Sequence, residues 1–280
     1  MPCRRERKLR SLQTLVGRLI WIARTARPDI SQAVSAYGSR ILTWADDVDR
    51  EMKLSMGFLK LTAASELEFY WPRSATFGTP AFREMARAEV HSDADWTVPR
   101  SQSGFFACVT AVPDASSPDD VSGLLPLHHG SQKQPIAGDS SAATEIIAAH
   151  HAVRRVGPYM TGVSGLLGLN WSLRVDNSTA LKHISTSPSV AWWLYSKALG
   201  VRTSLLSELC RVGIFSVSHV PSAVNRADVM TKPLVGGKLR VAMMLASVTS
   251  GPELLVGFEG AVARAPFWAH VARATWVFRE

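Results

Sequence analysis

The sequence predicts an α/β fold in which a mixed five-stranded sheet flanked by helices follows a small, mainly helical segment. Hydrophobic residues make up 46 % of the 280 residues, which is enough for a packed core. In the first part of the chain, apolar residues recur at helical spacing. After residue 88, the segments come in the order three strands, helix, strand, helices, strand, helix. The first three strands can form an antiparallel meander, and crossover helices can join the later ones.

Residues 1–80 are expected to form the helical segment. Apolar positions at helical spacing predict a helix from residue 11, and Pro28 should interrupt it. Asp29 is the expected cap of a second helix, which continues to Ile41. A third helix is predicted over residues 47–63, where six apolar side chains are available to pack.

Residues 88–236 are expected to form the sheet and its flanking helices. Before them, residues 67–71 could form a strand, and residues 72–80, rich in Pro, Ser, Thr and Gly, are expected to be a linker. The predicted strands are Ala88–His91, Ser103–Val112, Leu124–His129, Trp171–Asp176 and Ile214–Val220. The predicted helices are Ser140–Arg155, one starting at Asn177, Trp192–Cys210 with Gly213 as its end, and Arg226–Pro233. Residues 237–280 are treated as a C-terminal extension of unknown role.

The composition argues against several classes of protein. The three cysteines, Cys3, Cys108 and Cys210, form no CxxC pair, which indicates a reduced intracellular protein. No apolar run reaches the roughly 18 residues of a membrane span, so we expect no membrane partner. Arg18 and Arg24 interrupt the apolar stretch after the basic N-terminus, which argues against a signal peptide.

The net charge of +8 is concentrated in the first segment. Residues 1–88 hold 15 Lys and Arg against 9 Asp and Glu, whereas residues 89–236 hold equal numbers of each sign. Such an excess is typical of a protein that contacts a polyanion. A solvated basic surface would explain the same charge equally well.

Acidic residues in four separate stretches are the candidate functional groups. Asp93 lies at the end of the first strand, Glu145 in the first turns of a helix, and Asp176 at the end of the fourth strand. Asp228 lies at the start of the last predicted helix. Four carboxylates at one edge of a sheet would repel one another unless cations lay between them, and oxygen ligands favour Mg²⁺ or Mn²⁺. If they converge, metal-dependent hydrolysis of a phosphodiester is the natural chemistry.

Several motifs, in a fixed order, resemble the C-terminal part of a copia-type retrotransposon Pol polyprotein. The resemblance covers the end of the reverse transcriptase region and the ribonuclease H domain, from about Ser11 to Leu234. The first segment contributes RPDI, and the second contributes HSDADW, SQSGFFACV, GSQKQP, SSAATEIIAA, VDNSTAL and HVPSAVNRADVMTKPL. Each motif alone is weak, but their shared order is specific.

The resemblance implies a ribonuclease H-like fold and two Mg²⁺ or Mn²⁺ ions. By position in the motifs, it implies that Asp93, Glu145, Asp176 and Asp228 are both the catalytic residues and the metal ligands, and that Asp95 is only a neighbour. Three features depart from the family pattern. Thr-Val-Pro follows Trp96, Ala143 replaces the first of two glutamates, and the mobile histidine of cellular ribonucleases H has only His219 as a candidate counterpart.

An RNA–DNA hybrid is the nucleic-acid partner that the resemblance implies, with the remainder of a Pol polyprotein as a second candidate partner. The expected location is intracellular, either cytoplasmic in a virus-like particle or nuclear. Residues that could contact the hybrid are Asn177, Ser178, Lys197 and Arg202, although a helix cap for the first two and a solvated face for the others are equally plausible. A decayed copy that binds without cleaving, and another nuclease or an integrase on the same fold, remain alternatives.

Overall fold

The computed structural model describes residues 4–65, 67–72, 76–97, 99–112, 122–186, 197–233 and 236–248. Within these ranges, five strands form one mixed sheet in the order β3-β2-β1-β4-β5. The strands are β1 (Ala86–Ala94), β2 (Gln102–Ala111), β3 (Gly123–Lys133), β4 (Trp171–Val175) and β5 (Ser216–His219). The first three pair antiparallel, whereas β1 with β4 and β4 with β5 pair parallel. The predicted mixed sheet is therefore confirmed.

Helices lie on both faces of the sheet and before it. Across the described ranges they are α1 (Arg4–Thr25), α2 (Ser31–Ser39), α3 (Asp46–Leu61), α4 (Pro80–Met85), α5 (Ser141–Leu167), α6 (Ser178–Ser185), α7 (Lys197–Arg211), α8 (Asp228–Thr231) and α9 (Gly236–Leu245). None of the helices in this part of the chain is long and apolar enough to cross a membrane.

Alternation along the central strands gives the sheet two different faces. Ala88 and Val90 of β1 belong to the core cluster formed with α5. Phe106 and Cys108 of β2 instead pack against Met230 of α8 and residues of α9. Because side chains alternate with period two, the odd positions of β1 point to the face that α8 and α9 cover.

The segment α1–α3 has its own apolar cluster and also contacts the sheet. Its buried side chains are Val16, Leu19, Ala23, Ile30, Val34, Tyr37, Val48 and Met52. The side-chain amide of Gln102 donates to Ser35 Oγ over 2.7 Å. His129 Nε2 lies 2.7 Å from the Ala23 carbonyl oxygen. These bonds hold the helices against β2 and the edge strand β3.

Pro28 ends the first helix as predicted, but Asp29 does not cap the second. Pro28–Ile30 form a short 3-10 helix, and Ile30 is the N-cap residue of α2. The buried Asp29 carboxylate instead accepts two hydrogen bonds from Arg27, at 2.9 and 2.7 Å. Arg27 also donates to the Thr62 carbonyl oxygen over 2.9 Å, which joins the break after α1 to the end of α3.

The predicted strand over residues 67–71 was wrong. Only isolated bridges form there, between Leu67 and Val248 and between Tyr70 and Leu124. The Tyr70 bridge lies on the outer edge of β3. The predicted linker ends in a helix, α4, because the Thr79 hydroxyl accepts from the Phe82 amide over 3.2 Å and Pro80 suits the first helical turn.

Several predicted helix boundaries were also wrong. The first flanking helix, α5, continues past Arg155 to Leu167, where Gly168 has a φ of +67°. The predicted helix Arg226–Pro233 is only the short α8, and α9 follows it unpredicted. The start of the predicted helix from Trp192 and residues 249–280 of the extension lie outside the described residues.

Candidate functional site

Asp93 is the buried centre of the candidate site. It is the second-last residue of β1, opposite Gly104 of β2, and only 1 % of it is exposed. Its odd position in the strand directs it to the face covered by α8, where the Thr231 hydroxyl donates a hydrogen bond to its carboxylate. The strand continues beyond its predicted end at His91, so Asp93 lies within β1 instead of just after it.

Asp228 reaches Asp93 because a tight turn brings α8 against β1 and β2. The buried Asn225 side chain donates to the Ser92 carbonyl oxygen and accepts from the Ala227 amide, each over 3.1 Å. Asp228 is the first residue of α8, directly after this turn. A β-carbon at Gly104 would lie 2.5 Å from that of Met230, so only glycine allows α8 to approach this closely.

Asp176 joins them from the neighbouring parallel strand. It follows β4, whose register places its carboxyl end at the same edge as that of β1. The Ser222 hydroxyl donates to Asp176 Oδ2 over 2.8 Å, and His219 Nε2 lies 3.1 Å from the Asp176 carbonyl oxygen. Carboxylate oxygens of Asp93, Asp176 and Asp228 all lie within 4.8 Å of one another, so these three could hold a metal ion.

Glu145 borders this carboxylate cluster without being one of its three members. It is buried near the start of α5, where the Ser140 hydroxyl caps the helix by accepting from the Ala143 amide. Glu145 Oε1 accepts from the Ala94 amide over 3.1 Å. Its second oxygen, Oε2, is buried and has no hydrogen-bond partner among the described residues. Such an oxygen is costly to bury unless a ligand such as a cation satisfies it.

Burial and mutual repulsion make the ionised cluster unfavourable. Burial, and then the Asp228 carboxylate, raise the pKa of Asp93 to about 7. Burial also raises the pKa of Glu145 well above its usual value, with Asp93 and then Asp176 adding to the effect. Burial is the main cause of the raised pKa of Asp228 as well. A bound cation would relieve this repulsion.

Lys232 is a functional candidate that the sequence reasoning missed. Its Nζ lies 2.8 Å from Asp228 Oδ1 and 3.5 Å from Asp93 Oδ1. Burial acts to lower the pKa of Lys232, but the Asp93 and Asp228 carboxylates outweigh it and the pKa is raised. Lys232, in the MTKPL motif, lies four positions after Asp228, and this spacing could have indicated the ion pair.

The remaining predicted residues lie outside the cluster. Asp95 accepts hydrogen bonds from the Gln102 amide and the Thr97 hydroxyl, so it shapes the β1–β2 turn. Asn177 caps α6 by accepting from the Ala180 amide over 2.9 Å, and Ser178 is exposed beside it.

Lys197 and Arg202 lie on α7, around a shallow depression beside His150. Arg202 donates to the Ala198 carbonyl oxygen on its own helix over 2.8 Å. Neither residue contacts the carboxylate cluster in the described part of the chain.

A second buried group of polar side chains lies on the same face as Asp93. Ligand atoms of Glu89, His91 and Cys108 lie within 4.8 Å of one another. Arg174 Nε lies 3.6 Å from Glu89 Oε1, and the Thr110 hydroxyl donates to Glu89 Oε2 over 3.2 Å. Although burial acts to raise it, His91 and then the charges of Arg174 and Arg226 hold the pKa of Glu89 at about 2. The guanidinium already compensates this carboxylate, which disfavours a metal ion here.

No family model matches the chain, and no curated protein matches it. Among the solved structures that are similar to about half of it are three RNase H proteins or domains. RNase H1 from the halophilic archaeon Halobacterium salinarum NRC-1 is 15% identical, with a TM-score of 0.31, over 52% of this chain and 94% of that chain. LC11-RNase H1, isolated from compost by a metagenomic approach, is 14% identical, with a TM-score of 0.32, over 52% and 92%.

The N-terminal RNase H domain of a Mycobacterium tuberculosis protein, solved as a fusion with maltose-binding protein, is 15% identical, with a TM-score of 0.31. It matches over 57% of this chain and 99% of that chain. The fold assignment given above rests on strand order and pairing within this chain.

Proposed function

We propose that this chain is a metal-dependent endonuclease of the ribonuclease H type that hydrolyses the RNA strand of RNA–DNA hybrids during retrotransposon reverse transcription. The observation that carries the proposal is the meeting of Asp93, Asp176 and Asp228, from β1, β4 and α8, within 4.8 Å. Glu145 borders them from α5. These are the four acids that the motifs single out, and they come from four separate stretches of the chain.

The donor set fits hard divalent ions. All four candidate ligands are carboxylates, which suit Mg²⁺ or Mn²⁺ and not softer metals. The unpartnered Glu145 Oε2 and the raised pKa of Asp93 are the features expected of ligands that await a cation. Asp93, Glu145, Asp176 and Asp228 would hold two ions, which when bound supply an activated water and stabilise the leaving 3′ oxygen.

The surrounding side chains orient these carboxylates. Thr231 fixes one oxygen of Asp93, and Ser222 fixes one oxygen of Asp176. Asn225 holds the turn before Asp228 against β1. Partners of this kind restrict the rotation of ligands and leave their free oxygens directed into the site. Lys232 adds a positive charge, which can face a substrate phosphate once its ammonium group moves away from the carboxylates.

Selection of a hybrid is expected to come from the shape of the duplex and its 2′-hydroxyl groups. We propose that residues 88–236 form the nuclease unit and that residues 1–80 help to hold the duplex, since they carry much of the positive charge. Asn177, Ser178, Lys197 and Arg202 are proposed contacts to the nucleic acid. Residues 237–248, within α9 and just after it, cover the sheet face beside α8.

Cleavage of a labelled RNA–DNA hybrid in Mg²⁺ tests the proposal. Asp93→Asn and Asp176→Asn should each lower the rate by at least about 100-fold, the scale for losing one central electrostatic group. Asp139→Asn is the matched control, because Asp139 is exposed and forms no ion pair in the described part of the chain. Equal rates for all four proteins would refute the proposal. Hybrid binding without cleavage by the wild type would favour a decayed copy.

A further inference from the structure

A cavity of about 340 Å³ lies between the helical segment and the sheet. Its walls come from α1, α2, the edge strand β3 and α5, and Phe105 of β2 forms part of its floor. Arg24 and Arg155 stand exposed at its rim, on α1 and α5. The cavity is separate from the carboxylate cluster, and none of the proposed metal ligands lines it.

The lining carries positive charge without a counter-charge. None of its described residues is acidic, and Arg24 and Arg155 form no ion pair or side-chain hydrogen bond within the described ranges. Burial, followed by the two arginines, lowers the pKa of His128. Burial and then Arg155 lower the pKa of His151 to about 4. Burial, with the guanidiniums adding to it, thus keeps both imidazoles neutral.

Polar groups inside the cavity also lack partners. Ser31 is 7 % exposed, and its Oγ has no hydrogen-bond partner among the described residues. Both ring nitrogens of His151 are buried and unpartnered in the same part of the chain. A neutral imidazole offers one N–H donor, and a serine hydroxyl offers another. With the two guanidiniums, these donors suit the several acceptor oxygens of a phosphate.

The register of the sheet places this cavity near the carboxylate cluster. Asp93 pairs with Gly104, and Gly104 pairs with Ser131, which lines the cavity. Two strand spacings correspond to about 10 Å. That distance equals about three base steps along one strand of a duplex. A duplex seated on Asp93 would therefore bring backbone phosphates to the part of the cavity that Ser131 lines.

We infer that this cavity binds a phosphate group, and that its ligand is a backbone phosphate of the nucleic acid held by the carboxylate cluster. The second part rests on the proposed function, whereas the first does not. Arg24 and Ser31, from the helical segment, then belong to the substrate site together with His151 and Arg155. The interface between helices and sheet is thus a binding element as well as a structural one.

The test compares wild type with the double variant Arg24→Gln/Arg155→Gln. The matched control is Arg83→Gln/Lys238→Gln, which removes the same charge from exposed positions on α4 and α9, outside the helical segment. Hybrid affinity is measured without cleavage, in Ca²⁺, between 50 and 200 mM salt. Each lost phosphate contact should reduce the slope of log K against log salt by about 0.9. In the double variant, the slope should therefore be reduced by the amount expected for one or two lost contacts. The control should keep the wild-type slope.

A second arm uses inorganic phosphate alone, followed by ³¹P line broadening and by the thermal unfolding midpoint. The wild type should broaden the ³¹P line of phosphate, and phosphate should raise the unfolding midpoint of the wild type. Ser31→Ala, which alters no charge, should weaken both effects. An unchanged salt slope together with an unchanged phosphate response in the double variant would overturn the inference. A lost phosphate response with an unchanged slope would overturn the backbone assignment and leave a site for free phosphate. If the wild type never cleaves hybrid but the variant loses both responses, the proposed function fails and the cavity assignment stands.

Discussion

The ammonium nitrogen of Lys232 lies 3.5 Å from a carboxylate oxygen of Asp93. This lysine is therefore placed where a metal ion bound to Asp93 and Asp228 would also have to approach. Two cations cannot share the same carboxylate oxygens without repelling each other. Lys232 partly neutralises the cluster in the absence of metal, and metal binding must displace it.

Replacing Lys232 with methionine should therefore strengthen Mg²⁺ binding and lower the stability of the metal-free protein. We expect the Mg²⁺ dissociation constant to fall by roughly tenfold, equivalent to about 1.4 kcal/mol. Calorimetric titration without substrate measures this directly. Lys238→Met, at an exposed position on α9, is the control and should leave the constant unchanged. Weaker Mg²⁺ binding in Lys232→Met would show that the lysine assists the metal instead of competing with it.

The metal-free protein should lose stability as the pH rises towards neutrality. The pKa of Asp93 is raised from 3.8 to about 7, chiefly by burial and then by Asp228. The folded protein therefore holds this proton more tightly than the unfolded chain, and Asp93 destabilises the fold progressively between about pH 4 and 7. Urea unfolding in EDTA measures the free energy of unfolding at pH 5 and at pH 7.5. Between these two pH values, Asp93→Asn should lose less of this free energy than the wild type. A loss of the same size in Asp93→Asn would contradict the raised pKa.

Gly104→Ala should disrupt the site through packing. The added β-carbon would lie 2.5 Å from Met230 Cβ and 2.8 Å from Thr231 Cγ2, so α8 must move away from β2. Overpacking of this kind costs about 1–3 kcal/mol of unfolding free energy. Gly162→Ala on α5 is the control, since its β-carbon meets nothing within 4 Å and alanine favours a helix. Denaturant unfolding should show a lower free energy of unfolding, and Mg²⁺ titration a lower affinity, for Gly104→Ala but not for Gly162→Ala.

Ser222→Ala should slow cleavage without unfolding the protein. Ser222 is exposed and donates to Asp176 Oδ2 over 2.8 Å, so its loss frees that carboxylate to rotate. Removing a partner of a metal ligand usually costs 10–100-fold in metal affinity or activity, and we expect about tenfold. Single-turnover cleavage of the hybrid measures the effect. Ser222→Thr keeps the hydroxyl and should restore most of the rate, whereas equal slowing in both variants would argue against an orienting role.

The strand–helix order could be inferred from sequence because periodicity depends on local pattern. The sheet, α1 and α3 follow from such patterns. The length of β1 could not be inferred, because its polar end, Ser92 and Asp93, is held in a strand by pairing with Ser103–Phe105. Similarly, α5 continues past the exposed Pro158 because Val156 and Met160 remain buried on one face.

The sequence predicted the carboxylates of the candidate site but not the contacts that orient them. The motif order singled out Asp93, Glu145, Asp176 and Asp228. The structure brings the three aspartates together, and Glu145 borders them. The contacts that orient them depend on tertiary approach, as in the pairing of Asn225 with Ser92 across 133 residues. The local sequence pattern does not predict such contacts. Nor does it predict that α8 approaches β2 so closely at Gly104 that no β-carbon fits there.

The outer edge of β3 is covered along two stretches. Tyr70 pairs with Leu124 at one end, and α1 and α2 lie against the other end through the contacts of His129 and Gln102. An uncovered edge strand offers free backbone N–H and C=O groups to other chains. A fragment beginning at Ala86 would lose both covers and is expected to self-associate at high concentration. Preparations of residues 88–236 should therefore retain the helical segment if self-association is to be avoided.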